Sequence, residues 1–147
     1  MSSASIKKII NCNKKNLIDL VLDIEKYPEF VPWCLYGKIN EKKESKDFIE
    51  LKAELKVGKN FINEVYSSLI LYSKKKDIIT VTNIGGPLKY LKNEWKFKEV
   101  NNSTQLEFSI DFELKNSFLS IIMKNYFSFG LNKITDAFED RAKKIFK

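Results

Sequence analysis

Histidine and cysteine, two side chains much used in acid–base and metal chemistry, are absent or scarce in this 147-residue sequence. The sequence has no histidine, the side chain that titrates between about pH 5 and 8 and acts most often as a general base. Its two cysteines, Cys12 and Cys34, lie far apart, form no CxxC motif and are too few for a closed zinc site. We expect them to be isolated buried thiols. Carboxylates and tyrosines are left for catalysis, and the candidates are Glu64, Tyr66 and Tyr90.

A second group of side chains suits the binding of a hydrophobic molecule. Large aromatic residues recur in strand-like segments, and Asn63 and Asn93 fall among apolar neighbours. A buried amide must find hydrogen-bond partners, either in the backbone or on a ligand. Apolar pockets with a few polar groups are the usual small-molecule sites. The expected ligand-binding residues are Phe30, Trp33, Asn63, Asn93, Trp95, Phe97, Phe108, Phe112, Met123, Tyr126, Phe127 and Gly130.

The net charge of +7 favours acidic partners such as RNA or anionic lipid. Arg141 is the only arginine, and lysine acts on phosphate as a point charge without the bidentate geometry of arginine. A lysine-rich surface is more typical of a solvated face, and we expect no DNA partner. Arg141 falls within the apolar stripe of the last helix, where it should extend to solvent or pair with a carboxylate.

The first elements are predicted from apolar periodicity. Residues 4–12 read as a strand, and Asn13 is a candidate N-cap for a helix over residues 14–24. That helix should stop before Pro28, because the residue preceding a proline avoids the helical region. A short aromatic segment follows at residues 27–34.

Period-2 alternation then predicts an antiparallel meander with one wet face. The turns between strands contain glycine, asparagine or runs of charge. The predicted strands cover residues 35–39, 49–57, 61–72, 78–84, 91–97 and 106–114, with turns at residues 58–60, 74–77, 85–87 and 101–103.

A long C-terminal helix is predicted over residues 117–146, roughly 45 Å at the standard rise. Its apolar stripe holds Leu119, Ile122, Met123, Tyr126, Phe127, Gly130, Ile134, Ala137, Phe138 and Ile145. The stretch 118–131 is apolar on nearly all sides, which suits an exposed patch, a mobile lid or a partner surface, or equally burial against the aromatic segment at residues 27–33. Gly130 permits a bend or a close approach. The predicted fold is α+β: a curved antiparallel sheet wrapped around this helix, with two short helices near the N-terminus.

Four segments together resemble the coenzyme Q-binding START-like family of the polyketide cyclase/SRPBCC superfamily, which includes the ribosome association toxin RatA. They are residues 27–34 (YPEFVPWC), 86–97 (GPLKYLKNEWKF), 110–114 (IDFEL) and 137–142 (AFEDRA). The resemblance covers nearly the whole chain. It implies a single helix-grip domain over residues 1–147, with a hydrophobic tunnel between the sheet and the C-terminal helix.

The resemblance also implies a non-enzymatic lipid chaperone. It would bind ubiquinone or a related lipid, use no other cofactor, and support respiratory electron transfer or quinone biosynthesis. The RatA branch instead binds the large ribosomal subunit and inhibits subunit association, and the motifs do not separate the two branches. A cyclase or hydratase of the same superfamily is the third alternative, which requires Glu64, Tyr66 or Tyr90 inside the cavity.

The expected location is the cytoplasm, with peripheral contact at the cytoplasmic face of the inner membrane. The sequence shows no signal peptide and no apolar run near the roughly 20 residues that span a bilayer.

Overall fold

The computed structural model describes residues 2–59, 62–114 and 127–146. Within these ranges seven antiparallel strands form one sheet in the order β1-β7-β6-β5-β4-β3-β2, so the N-terminal strand pairs with the last strand of the meander. The strands are β1 Ser2–Ile10, β2 Cys34–Glu44, β3 Phe48–Lys59, β4 Ile62–Ser73, β5 Ile78–Gly85, β6 Leu88–Val100 and β7 Ser103–Leu114. The predicted meander is confirmed.

Two short helices follow β1, as predicted, but with different bounds. Helix α1 spans Lys14–Leu22, and the Asn13 side chain caps it by accepting a hydrogen bond from the Asn16 amide at 2.8 Å. A 3-10 helix spans Ile24–Glu29 with Pro28 inside it, so helical structure continues into the predicted aromatic segment. Pro28 has no amide hydrogen to donate. The end of this helix is closed by the amides at positions 30 and 31, which both donate to the Tyr27 carbonyl.

The first strand was predicted over residues 4–12, two residues too far towards the C-terminus, since β1 spans Ser2–Ile10. The strand ends at Ile10 because the Cys12 amide turns back to the Ile10 carbonyl at 2.8 Å. Thr104 pairs with Ile10 at this end of the sheet, and its hydroxyl donates to the Cys12 carbonyl at 2.7 Å. This buried hydroxyl fixes the point where the chain leaves the sheet.

The turn predicted at residues 58–60 was wrong for its first two residues. Gly58 and Lys59 continue β3 and pair with Asn63 and Ile62, and residue 60 lies outside the described residues. The hairpin predicted at residues 101–103 is confirmed as a two-residue turn. Asn101 and Asn102 have φ values of 47° and 67°, which is the left-handed pair that a type I′ hairpin requires.

The C-terminal helix α2 is described over Phe127–Ile145, and its predicted first part, residues 117–126, lies outside the described residues. The buried stripe comprises Leu131, Thr135, Phe138 and Ala142. The predicted stripe was therefore rotated: Ile145 is 45% exposed, whereas Thr135 is fully buried with its hydroxyl donating to the Leu131 carbonyl at 3.2 Å. Because this hydroxyl is satisfied within the helix, threonine can occupy an apolar position.

Ion pairs hold α2 on both sides. On β1, the Lys8 ammonium contacts Asp136 at 2.5 Å and Glu139 at 2.9 Å. On the 3-10 helix, Arg141 donates to the Glu29 carboxylate at 2.9 Å while its guanidinium lies 5.2 Å from the Phe30 ring centroid. The prediction that Arg141 pairs with a carboxylate is confirmed.

Acid should weaken the contact between α2 and the 3-10 helix. The hydrogen bond from Arg141 lowers the pKa of the Glu29 carboxyl below its usual value. A carboxylate with a lowered pKa stabilises the fold above its unfolded value of about 4.3, and this contribution is lost as pH falls through the lower folded value. In Glu29→Gln, the free energy of unfolding should therefore fall less than in wild type as the pH is lowered from roughly 6 to 3. Urea titration at each pH measures this.

The matched control is Glu64→Gln, which removes a carboxylate from an exposed site on β4. In this variant the free energy of unfolding should fall with decreasing pH as it does in wild type. Because a surface ion pair contributes little, the Glu29→Gln effect should be small but confined to this pH window. If wild type and Glu29→Gln lose the same free energy of unfolding between roughly pH 6 and pH 3, the stabilising role of the Arg141–Glu29 pair is contradicted.

Candidate functional site

One face of the sheet, called here the inner face, carries the side chains that meet the helices. The register places Trp95 opposite Phe108 and Phe97 opposite Leu106, so these four side chains share the inner face. Trp95, Phe97 and Phe108 are buried together with Phe112. Four of the expected ligand-binding residues therefore share one face of the sheet.

An aromatic cluster fills one end of the space between the inner face and α2. The ring of Phe138 lies 5.1 Å from Trp95, 5.3 Å from Tyr27 and 5.1 Å from Phe30, each in an edge-on arrangement. Trp95 in turn contacts Phe108 at a centroid distance of 4.3 Å. Edge-to-face pairs at these distances contribute beyond the apolar area that they bury. At this end the protein's own side chains occupy the space.

Tyr27 completes the cluster through its polar end. Its hydroxyl donates to the Val21 carbonyl, and burial raises the pKa of this phenol far above its ordinary value. The side chain therefore acts as a neutral structural group that ties the 3-10 helix to α1.

A second, smaller cluster lies at the other end of β6 and β7. Leu88, Leu91 and Phe112 are buried there, and Tyr66 packs against them from β4. Burial raises the pKa of the Tyr66 phenol, with a further contribution from the charge of Glu64.

Between the two clusters lies a transverse row of three side chains, Val81, Asn93 and Ile110, which we call the inner row. The register sets Val81 opposite Asn93 and Asn93 opposite Ile110. All three are only partly buried, although Val81 and Ile110 pack against both clusters. The inner face is thus less completely covered in the middle than at either end.

Asn93 is the polar member of the inner row, and its amide oxygen lacks a partner in the described part of the chain. Its Oδ1 atom is buried and has no hydrogen-bond partner among the described residues. A buried polar group without a partner costs about 1–3 kcal/mol of stability. The neighbouring Asn83 differs, because it donates to the Leu88 carbonyl at 3.1 Å and accepts from the Leu91 amide at 2.9 Å.

Trp33 occupies a strained position beside α2. Its φ of 64° lies in the left-handed region, where bulky residues are rare. The Trp33 carbonyl accepts from the Gly58 amide at 2.9 Å, and its ring lies against Gly130, 3.6 Å from where a Cβ would stand. Gly130 therefore admits the close approach of a protein side chain, and Trp33 joins β3 to α2.

Some predicted site residues fall elsewhere or beyond description. Asn63 is exposed and lies one residue out of phase with the inward Tyr66, so the expectation that it faces inward was wrong. The β4 side chains face the other way because β3 continues to Lys59, two residues beyond its predicted end, and pairs there with Ile62. Met123 and Tyr126 lie outside the described residues, and for Phe127 only the backbone is described.

The candidates for acid–base catalysis differ in exposure, although Glu64 lies close enough to Tyr66 for its charge to raise the pKa of the phenol. Glu64 is exposed and Tyr90 is 37% exposed, which leaves Tyr66 partly buried on the inner face. Among the described residues, no group of three histidine, cysteine or carboxylate side chains could hold a metal ion. Cys12 and Cys34 are free and buried, as predicted, and burial raises the pKa of both thiols.

Two shallow clefts, of about 330 and 390 Å³, lie on the opposite, outer side of β2–β4. Their linings alternate apolar and charged side chains and include no residue of the inner row. In the described part of the chain, no helix is both long and apolar enough to cross a bilayer.

Comparison with known proteins identifies the family. Residues 16–139 match the family described as polyketide cyclase/dehydrase and lipid transport, and the chain belongs to this family. The ribosome association toxin RatA of Rickettsia prowazekii is 33% identical over the full length of both chains. The mitochondrial coenzyme Q-binding protein COQ10 of Dictyostelium discoideum is 31% identical over 86% of this chain and 62% of its own length.

Solved structures agree with this assignment of the fold. The 18 kDa protein CC1736 of Caulobacter crescentus has a TM-score of 0.82 at 27% identity, covering 99% of both chains. A START superfamily protein of Mycobacterium smegmatis has a TM-score of 0.82 at 17% identity, covering 97% of this chain and 98% of its own. The fold is the START-like helix-grip fold, as the sequence resemblance implied.

Two glycines that meet neighbours differently should respond oppositely to alanine. Gly130→Ala adds a Cβ at ordinary contact distance from Trp33 and removes a glycine from α2, so the free energy of unfolding should rise by up to about 1 kcal/mol. Gly37→Ala would place its Cβ 2.4 Å from the Ile24 carbonyl oxygen, and overpacking should lower stability by about 1–3 kcal/mol. Urea unfolding checks both; a destabilised Gly130→Ala would mean that Trp33 tolerates no added atom.

Proposed function

We propose that the protein reversibly binds and delivers a hydrophobic small molecule, with ubiquinone as the leading candidate, and that it catalyses no reaction. The observation that carries the proposal is the inner row, which stays partly exposed between two buried clusters on the face that α2 covers. A fully packed core would bury such apolar side chains. The ligand would lie along Val81, Asn93 and Ile110.

The family and its members support this choice of ligand class. The description of the family includes lipid transport, and the relative from Dictyostelium discoideum is named as a coenzyme Q-binding protein. Of the three candidates for acid–base chemistry, Glu64 and Tyr90 are exposed, and Tyr66 alone is partly buried on the inner face. Both findings favour carriage over catalysis.

Burial of the isoprenoid tail would supply the driving force. At about 25 cal/mol per Å² of apolar surface, 200 Å² removed from water is worth about 5 kcal/mol before the costs of ordering are subtracted. The aromatic cluster around Phe138 would form the closed end of the site, and a quinone ring would lie nearer to Asn93.

Release of the ligand requires part of the cover to move. Gly86, in the loop over residues 85–87, has a φ of 111°, and a Cβ there would stand 2.6 Å from the Val65 carbonyl, so this loop is held close to β4. Helix α2 is anchored by the buried Phe138 ring, and the ion pairs at its sides are individually weak. Either α2 or this loop would open as the lid, with lysines holding the protein at anionic headgroups of a membrane.

Direct recovery of a ligand tests the proposal. Native mass spectrometry and lipid extraction of the purified protein should find a quinone or related lipid, or should find one after ubiquinone is offered. Repeated recovery of empty protein after that loading step would exclude carriage.

Filling the inner row should abolish binding. Val81→Phe adds bulk to a partly exposed inward position, and the ligand that shares this space should be lost while the protein stays folded. The matched control is Thr80→Phe, one residue away on the outer face of the same strand, which should bind as wild type does. Undiminished binding by folded Val81→Phe would place the ligand elsewhere.

A second candidate function is association with the large ribosomal subunit. It is favoured by the full-length similarity to a RatA protein and by the net charge of +7. Against it, several lysines pair with carboxylates, as in Lys96 with Glu94 and Lys52 with Glu41, both at 3.3 Å. This pairing leaves less uncompensated charge for phosphate.

Sedimentation with purified large subunits separates the two candidates. Ribosome binding predicts co-sedimentation at low salt that weakens steeply as salt rises, because released counterions set the affinity. Lys92→Glu combined with Lys98→Glu, both exposed on β6, should weaken it further, whereas Val81→Phe should not. Absence of co-sedimentation at low salt would remove this candidate.

A further inference from the structure

Asn93 occupies a position that stability alone would give to an apolar residue. Its neighbours across the strands are Val81 and Ile110, and along β6 the next inward residues are Leu91 and Trp95. Its Oδ1 is buried without a partner among the described residues, whereas Asn83 nearby is fully engaged with backbone groups. The amide therefore carries a cost that the fold does not recover.

Asn93 as a residue is only partly buried, although its Oδ1 atom is buried. Rotation about the terminal torsion exchanges the oxygen and the nitrogen, because the two ends of an amide are nearly identical in shape. The amide can thus accept from a hydroxyl or donate to a carbonyl of a ligand beside it. An adaptable amide of this kind suits a neutral headgroup in either of two forms.

Charge on the surrounding inner face limits the headgroup further. Among the described residues with inward register positions, Lys8 is the cation nearest to α2, and it is already paired with Asp136 and Glu139 at the β1 edge. A carboxylate or phosphate brought to the inner row would lie among apolar side chains, and two of the described cations at α2, Lys8 and Arg141, are already paired with carboxylates. Burial of an unpaired charge is strongly unfavourable.

We infer that Asn93 is the polar anchor of the ligand site, and that it selects lipids with a neutral carbonyl or hydroxyl headgroup over lipids with an ionised one. The inference rests on the proposed function, since it names the ligand class of the same site. It also predicts a conflict between stability and binding: Asn93→Leu should unfold at higher urea concentration than wild type while binding such lipids less well.

Three lipids of equal chain length test the selection: hexadecanol, palmitate and hexadecane, each delivered from cyclodextrin at pH 8 and scored by native mass spectrometry. Wild type should prefer hexadecanol to palmitate by at least about tenfold, because the hydroxyl is neutral. Asn93→Leu should lose about three- to tenfold in affinity for hexadecanol, the loss expected for one neutral hydrogen bond, and should bind hexadecane as wild type does. Asn63→Leu removes an exposed amide from the same sheet and should change neither value.

Asn93→Ala repeats the test with a smaller side chain in case leucine overfills the row. Palmitate bound as well as hexadecanol, or hexadecanol affinity unchanged in both Asn93 variants, would overturn the inference and leave lipid carriage standing. If wild type binds none of the three lipids and no ubiquinone, the proposed function fails and the inference falls with it.

Discussion

The edge-on packing of Phe138 against Trp95, Tyr27 and Phe30 is the contact on which the rest of the structure depends. One fully buried ring joins α2, the sheet and the 3-10 helix. Because this cluster fixes where α2 crosses the inner face, it also determines which inward side chains are covered and which are left partly exposed. Removal of such a ring typically costs about 3–5 kcal/mol, a large part of the stability of a domain.

The inner row gains its meaning from that arrangement. A residue such as Asn93 would be unremarked at an exposed strand position, where water satisfies the amide. Between two buried clusters the same side chain is a local conflict with the surrounding apolar pattern. Natural sequences usually keep such conflicts where function requires them. The proposed carriage of a lipid and the proposed selection of a neutral headgroup both follow from this one position.

Much of the fold could be predicted from the sequence because its signals are local. Strict alternation predicted β6 and β7, and the paired asparagines at 101 and 102 predicted their hairpin. The errors have non-local causes. Ile145 and Thr135 exchanged roles because helical periodicity fixes the width of an apolar stripe and leaves its centre to the partner surface. Asn63 was misplaced because the length of a turn sets strand parity, and one residue of error reverses the face. The unpaired state of Asn93 depends on three strands at once and could not be seen in any one segment.

The pairing of β1 with β7 has a consequence for how the chain is made. Ser2 lies opposite Phe112 and Ile10 opposite Thr104. The first strand is therefore separated in sequence from its partner by the other five strands of the sheet. On the ribosome, β1 leaves the exit tunnel long before β7 exists, and its apolar side chains have no native neighbour during that interval. Contacts so distant in sequence form slowly because the intervening chain must first be ordered. Pairing of β1 with the sheet is therefore a late event, and β1 stays without its strand partner until β7 has been made.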